Sequence, residues 1–252
     1  AAGGSQDWVD RLKANRDALR EVPWDVAYEL RPEEREAISF SIAEFQHGES
    51  SEGRHLIETS QRHALKTGDA RFHEATLLFI KEEQRHAAEL GRYMDLRGSP
   101  LLGSTAIDGV FRWMRRLGGL EVSIRVLITA EIIAQTYYPA LREATGDLVL
   151  MKICDQIIAD EDMHIEFQTG RIASLQREAG RLRRWVSGFL QRFLFLGTVF
   201  VVWSRHRKVF KRGGFPFRRY WKDCWRNFEV AEGLMMRGAE ISRLRVAPSV
   251  WD

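Results

Sequence analysis

The sequence predicts an all-α protein: a bundle of long helices with further helices before and after it. Three observations carry this expectation. Core-type residues recur at helical spacing over long stretches, as in Phe72, Thr76, Phe79, Leu90 and Met94. The pairs Gly68-Asp69 and Gly146-Asp147 each read as the stop of one helix followed by the N-cap of the next. No apolar/polar alternation bounded by turn residues competes as a strand. Composition agrees with a globular chain: of 252 residues, 44% are hydrophobic and 29% charged, which excludes disordered and low-complexity classes.

Taken in order, a short helix is expected over residues 6–20. Pro32, followed by Glu33 and Glu34, opens the second, because proline suits the first turn and acids complement the helix dipole. That helix is expected to run unbroken to Lys66. The next covers Asp69–Arg97 and stops at Gly98-Ser99-Pro100, and a shorter piece over 105–117 ends in Gly118-Gly119. An apolar helix follows from Leu120 to Ala144, then one from Asp147 to Ala179, closed by Gly180. Residues 181–204 read as a helix, 206–219 as a basic Gly/Pro-rich loop and 220–243 as the last helix. The domain reading is an N-terminal helix and linker over 1–31, a bundle over 32–180 and a helical extension over 181–252.

Two cysteines, Cys154 and Cys224, with no CxxC, exclude a disulfide framework and any metal centre built on cysteine alone. They fit a reducing compartment. The first residues, AAGGSQDW, carry no secretory-signal pattern. No 18-residue uninterrupted apolar run occurs, so a spanning helix is not expected. The expected location is cytoplasmic, at most peripheral to a membrane.

Glu131 is the strongest anomaly. Between Arg125 and Arg142 the chain reads VLITAEIIAQTYYPAL, and Glu131 is its single charged side chain. An ionised carboxylate in that setting costs several kcal/mol unless it is paired or bound to a metal. Two other helices offer partners. Glu83 and His86 stand three residues apart, as do Glu161 and His164, so each pair places a carboxylate and an imidazole one turn apart on one face. An ExxH match is weak by itself, because Glu44/His47 and Glu52/His55 match as well. The longer register discriminates: Glu52 precedes Glu83 by 31 residues, Glu131 precedes Glu161 by 30, and the two ExxH pairs are 78 apart. A lone Glu on one helix and ExxH on the next, occurring twice, is the pattern of a dinuclear carboxylate site between four helices.

The expected ligands are Glu52, Glu83, His86, Glu131, Glu161 and His164. Glu49 shares the inward face with Glu52 and Phe45 and stands as an additional or alternative ligand. His47 and His55 read as ordinary polar residues. Asp160 and Asp155 are candidates to orient the histidines, a support that metal-bound imidazoles usually require. Thr76, Phe79, Ala134, Gln135 and Tyr138 are candidates to line a cavity beside the metals. Oxygen-rich ligation with few imidazoles suits two iron ions, or manganese at one or both positions, better than structural zinc.

On these residues the sequence resembles the ferritin-like di-iron carboxylate superfamily. Within it, KEEQRHAAELGRYM (81–94) and TGDLVLMKICDQIIADEDMHIEF (145–167) resemble the metal-ligating helices of the soluble acyl-carrier-protein desaturases. The similarity covers roughly residues 40–175; HGESSEGRHL and the C-terminal third depart from it. The resemblance implies a ferritin-like four-helix bundle holding two irons that activate O₂. The function it implies is an oxidase or oxygenase of desaturase, hydroxylase or N-oxygenase type. Such an enzyme needs an external electron donor and acts on an apolar substrate, acyl-linked or lipid-borne. A ferroxidase or peroxide scavenger resembling rubrerythrin is the alternative. Ribonucleotide reductase small subunits carry a tyrosine four residues beyond the first ExxH histidine, where this chain has Leu90.

The C-terminal block is chemically distinct. Residues 179–222 contain twelve Lys/Arg, eleven aromatic residues and no Asp or Glu, although the whole chain is only +3. This asymmetry suggests an acidic carrier protein or an anionic membrane surface as partner through 181–222. A helix packed on the bundle or across a homodimer interface is the structural reading. Nucleic acid is the weakest candidate, since no recognition module accompanies the aromatic and basic residues.

Overall fold

The computed structural model describes residues 4–50, 53–103, 118–177 and 179–244, with side chains as far as Arg237. The described residues are helical or irregular, with no strand among them. The helices are α1 (Ser5–Asp17), α2 (Pro32–Glu49), α3 (Arg54–Thr67), α4 (Ala70–Leu96), α5 (Leu120–Ala144), α6 (Leu148–Leu175), α7 (Arg181–Arg212) and α8 (Phe217–Leu244). The helix expected over 105–117 lies outside the described residues.

Local chemistry sets these boundaries. Pro32 occupies the first turn of α2, and the neighbouring Glu34 is wholly buried. Its carboxylate accepts from Thr145 Oγ1 at 2.5 Å, Gly146 N at 2.9 Å and Tyr28 OH at 2.9 Å, tying the start of α2 to the α5–α6 turn. Asp69 caps α4 by accepting from Phe72 N, and Asp147 caps α6 by accepting from Val149 N. Asp147 is buried and also takes the Arg97 guanidinium at 2.6 and 3.0 Å, which fastens the end of α4 to the start of α6.

Two expected boundaries are corrected. The helix expected from Pro32 to Lys66 breaks after Glu49, and α3 starts at Arg54 behind Gly53. Gly53 has φ +60°, a left-handed conformation in which a Cβ would lie 2.8 Å from the Ile80 side chain. The expected loop over 206–219 shrinks to residues 213–216, because α7 continues to Arg212. Its basic turns are held to α2 by Arg205–Glu44 and Lys208–Glu36 ion pairs.

Helices α2, α4, α6 and α5 form a closed ring of contacts, each packing on the next and α5 returning to α2. Helix α1 lies against α4, placing Trp8, Val9 and Leu12 in the core, and α3 packs on α4 and α5. Helix α7 lies across α5 and α2, and α8 packs on α6 and α5. The core runs continuously through all of these helices, so the C-terminal block forms part of the wall around the ring. Helix α7 is also long and apolar enough to cross a membrane by length and composition, with 22% of its most apolar stretch buried.

Candidate metal centre

The four helices of the ring each send acids or imidazoles inward. Helix α4 contributes Glu83 and His86, α6 contributes Glu161 and His164, α2 contributes Glu49 and α5 contributes Glu131. The three-residue spacing on α4 and α6 turns each Glu/His pair to a single face, and both histidines are fully buried. Two triads have ligand-type atoms within 4.8 Å of one another: Glu49/His86/Glu161 and Glu83/Glu161/His164. Glu161 belongs to both. Glu83 Oε1 stands 3.0 Å from His164 Nδ1 and 3.8 Å from His86 Nδ1, so it lies between the two imidazoles. Glu131 Oε2 is 3.9 Å from His164 Nδ1. The cluster is thus one continuous group with the donor chemistry of a metal site.

Of the expected ligands, Glu83, His86, Glu131, Glu161 and His164 come together. Glu52 lies outside the described residues, and on α2 it is Glu49 that the structure brings to the cluster. Its Oε1 accepts from Tyr138 OH at 2.8 Å.

A second layer orients the histidines from behind. His86 Nε2 donates to Asp160 at 2.9 Å, and His164 Nε2 donates to Glu82 at 2.9 Å. Each acid therefore immediately precedes one ExxH motif and holds the histidine of the other. Because a carboxylate can only accept from Nε2–H, each Nδ1 is the atom turned inward as ligand. Asn15, from α1, donates through its amide to both acids, at 2.7 Å to Glu82 and 2.8 Å to Asp160. Gln156 and Arg85 also donate to Asp160, at 2.8 and 2.5 Å. Sequence reasoning found Asp160 and missed Glu82 and Asn15. Glu82 repeats Asp160 at the same 78-residue offset as the histidines, a signal that was present. Nothing in the sequence singles out Asn15.

Asp155 does not take the role expected of it. It accepts from Arg142 Nε at 2.6 Å at the partly exposed rim of α5 and α6. Five residues before Asp160 on the same helix, it points about 140° away.

Five polar atoms facing one another are buried without a well-formed hydrogen bond: Glu83 Oε1, Glu131 Oε2, Glu161 Oε2, His86 Nδ1 and His164 Nδ1, although Glu83 Oε1 and His164 Nδ1 stand 3.0 Å apart as an ion pair. Orphaned buried polar atoms cost about 1–3 kcal/mol each, so Glu131, Glu161 and His86 beside that pair call for a ligand that satisfies them together. A divalent cation fits this donor set, since carboxylate oxygens and imidazole nitrogens are the lone pairs left over. Electrostatics agrees. Burial, reinforced by the Glu83 charge, pushes Glu131 up to about 8. Burial and the Glu131 and Glu83 charges raise Glu161 well above the carboxylate range, and burial with Glu83 does the same to Glu49. Burial works against charge on Glu83 too, yet the pull of His164 and His86 holds it down at about 2. Burial disfavours the His164 imidazolium, but Glu82 and Glu83 raise it well above its ordinary value. Without a metal, the cluster keeps its protons in place of bound cations.

A cavity of about 180 Å³ reaches the cluster between α2, α5 and α7. At its inner end are Glu49, Glu83, Glu131 and Glu161. Its walls are largely apolar, from Phe45, Val126, Leu127, Ile133, Ala134, Val201 and Val202, and the Glu44, Arg205 and His206 group lines it on the α2–α7 side. Ala134 lines it as expected. Thr76 and Phe79 instead border a separate small space behind the centre, beside Gln168. Gln135 sits four residues after Glu131, about 40° further round the helix, and bonds Asp162 at 2.7 Å on the outer seam of α5 and α6. Tyr138 touches the centre through Glu49 rather than lining the space. The α7 side of the cavity was missed because a long-range packing contact supplies it.

Comparison with protein-family models, curated proteins and solved structures returns no match.

Proposed function

We propose that the chain is a carboxylate-bridged di-iron oxidoreductase of ferritin-like architecture that uses O₂ and an external electron donor on an apolar substrate. The observation that carries this is the cluster of inward-facing carboxylate and imidazole atoms at the end of an apolar cavity. In this reading the ring of α2, α4, α5 and α6 is the four-helix bundle of the superfamily that the two ExxH helices resemble. Glu83 and Glu161 would be held in common by the two positions, because one lies between the imidazoles and the other belongs to both triads. Glu49 with His86, and Glu131 with His164, would complete them.

Bound iron would supply the one-electron chemistry that O₂ activation requires and that no protein side chain here offers. The chain's own residues do the rest. Glu82 and Asp160 hold the Nε2 protons and so fix both Nδ1 lone pairs inward. Gln168 donates to Glu131 Oε1 and leaves Oε2 for the centre. The Tyr138 hydroxyl proton rests on Glu49 Oε1, which orients that carboxylate. The apolar walls exclude water and favour a hydrocarbon-like substrate over a polar one. An iron-storage or ferroxidase role has less support, since the cavity that reaches the cluster gives a hydrated ion few polar steps.

The test is anaerobic reconstitution with ferrous iron, measuring iron per chain, with Glu83→Ala as control. Two irons per chain, lost in the variant, with O₂ uptake beyond the first oxidation of the ferrous pair requiring an added reductant, is the expected result. Absence of specific iron binding sinks the reading. Reductant-independent O₂ uptake that keeps scaling with ferrous iron added beyond two per chain would turn it into a ferroxidase.

A further inference from the structure

We infer that the outer face of α7 docks on an anionic lipid bilayer, with the helix lying along the surface and the mouth of the cavity beside it. The outward stripe of α7 begins with large apolar side chains: Leu182, Trp185, Phe189, Leu190, Phe193 and Phe200 are all exposed, Phe193 by 73%. The stripe is about 27 Å long at the helical rise. Apolar surface of this extent facing water marks a site of association.

The opposite face excludes a spanning role for this helix. Phe195, Val199, Val209 and Phe210 are buried in the core, and Gln191 donates to Arg125 O at 3.1 Å and Thr129 Oγ1 at 2.6 Å. A helix bonded in this way to the protein along one side offers a membrane only its other side.

Charge selects the occupant. Arg181 and Arg184 stand at the start of the stripe and Arg207 and Lys211 beyond its end, within the segment of twelve Lys/Arg and no acids; Arg183 and Lys208 flank it too but are paired with Glu121 and Glu36. A second copy seated by two-fold symmetry would set this basic segment against itself. An acidic protein would match the cations but not the aromatic stripe. A lipid surface matches both, with acyl chains under the aromatics and phosphates around the guanidinium groups.

The cavity gives this placement a consequence. Gly48, Ala130 and Val201 are exposed and line it, and Val201 borders the α7 stripe. Docking would therefore set the mouth at the membrane interface. That the bilayer also supplies the substrate rests on the metal-centre reading; the docking does not.

The experiment is flotation of the metal-free full chain with two kinds of vesicle, phosphatidylcholine alone and equal parts phosphatidylcholine and phosphatidylglycerol. The chain is expected to float with the mixed vesicles, not with the neutral ones, and to be released by salt. The double variant Phe189→Ser/Phe193→Ser, which removes exposed side chains only, is expected to bind at least about tenfold more weakly with unchanged helix content. Wild-type chain left in solution by both vesicles overturns the inference. So does equal binding by the double variant, or a dimer in sedimentation that the double variant dissociates.

Discussion

Helices α4 and α6 carry the same pattern, an acid, a glutamate and a histidine three residues beyond it, yet the two halves are supported differently. On α6, Asp160 gathers His86, Arg85, Asn15 and Gln156. On α4, the described partners of Glu82 are His164 and Asn15. The position that Arg85 takes on α4 is Met163 on α6, packed against the core. Burial opposes charge on Asp160, but His86, Asn15 and Arg85 outweigh it and hold the carboxyl far below its ordinary range. The same imidazole orientation is thus reached with a guanidinium behind one histidine and none behind the other. Ligand geometry is duplicated here, whereas the field around it is not.

The largest expected effect erases the comparison. Glu83 lies between both imidazoles, so Glu83→Ala should abolish metal at both positions, as read by metal per chain. Next come the two supports. Asp160→Asn should weaken metal binding by about 10- to 100-fold and also lower Tm, because Arg85 loses its nearer carboxylate and keeps only Glu89 at 3.5 Å. Glu82→Gln should fall at the lower end of that range with a smaller change in Tm. Equal effects would show that the guanidinium is irrelevant.

A pH series sharpens the picture further. Glu131 sits at about 8 in the metal-free cluster, above its unfolded value, so it carries a proton below that pH. A metal must displace this proton. Binding should therefore release protons and weaken progressively as pH falls from about 8, as seen by calorimetry in buffers of different ionisation heat. The smallest effect expected is that of Asn15→Ala. It removes one hydrogen bond from each half but leaves every inward ligand and both imidazole–carboxylate bonds in place, and should weaken both positions by similar small factors.

Much of the frame was legible in the sequence. Gly-Asp punctuation located the ends of α3 and α5 and the starts of α4 and α6, and the 78-residue register brought together five inward donors. The break after Glu49 was not legible, because the close approach of Ile80 to Gly53 comes from another helix. Nor was the length of α7, whose basic last turns looked like a loop until Glu36 and Glu44 on α2 gave them partners. Asp155 and Gln135 failed for different reasons: Asp155 lies about 140° round α6 from Asp160, whereas Gln135 is close to Glu131 on the helix but on the side where Asp162 takes its amide, opposite to the side on which Ala134 meets the cavity. Asn15 belongs to a helix with no motif, and only packing gives it meaning.

The position of Asn15 also bears on how the protein is made. Asn15 is synthesised before both of its acceptors, which follow 67 and 145 residues later. Helix α1 can rest on α4 once that helix exists, with Glu82 as its first anchor, but the amide stays half-engaged until α6 has been synthesised and docked. Only then are both histidines braced. The emerging chain thus holds back the finished cluster until α6, the last helix of the ring, is in place.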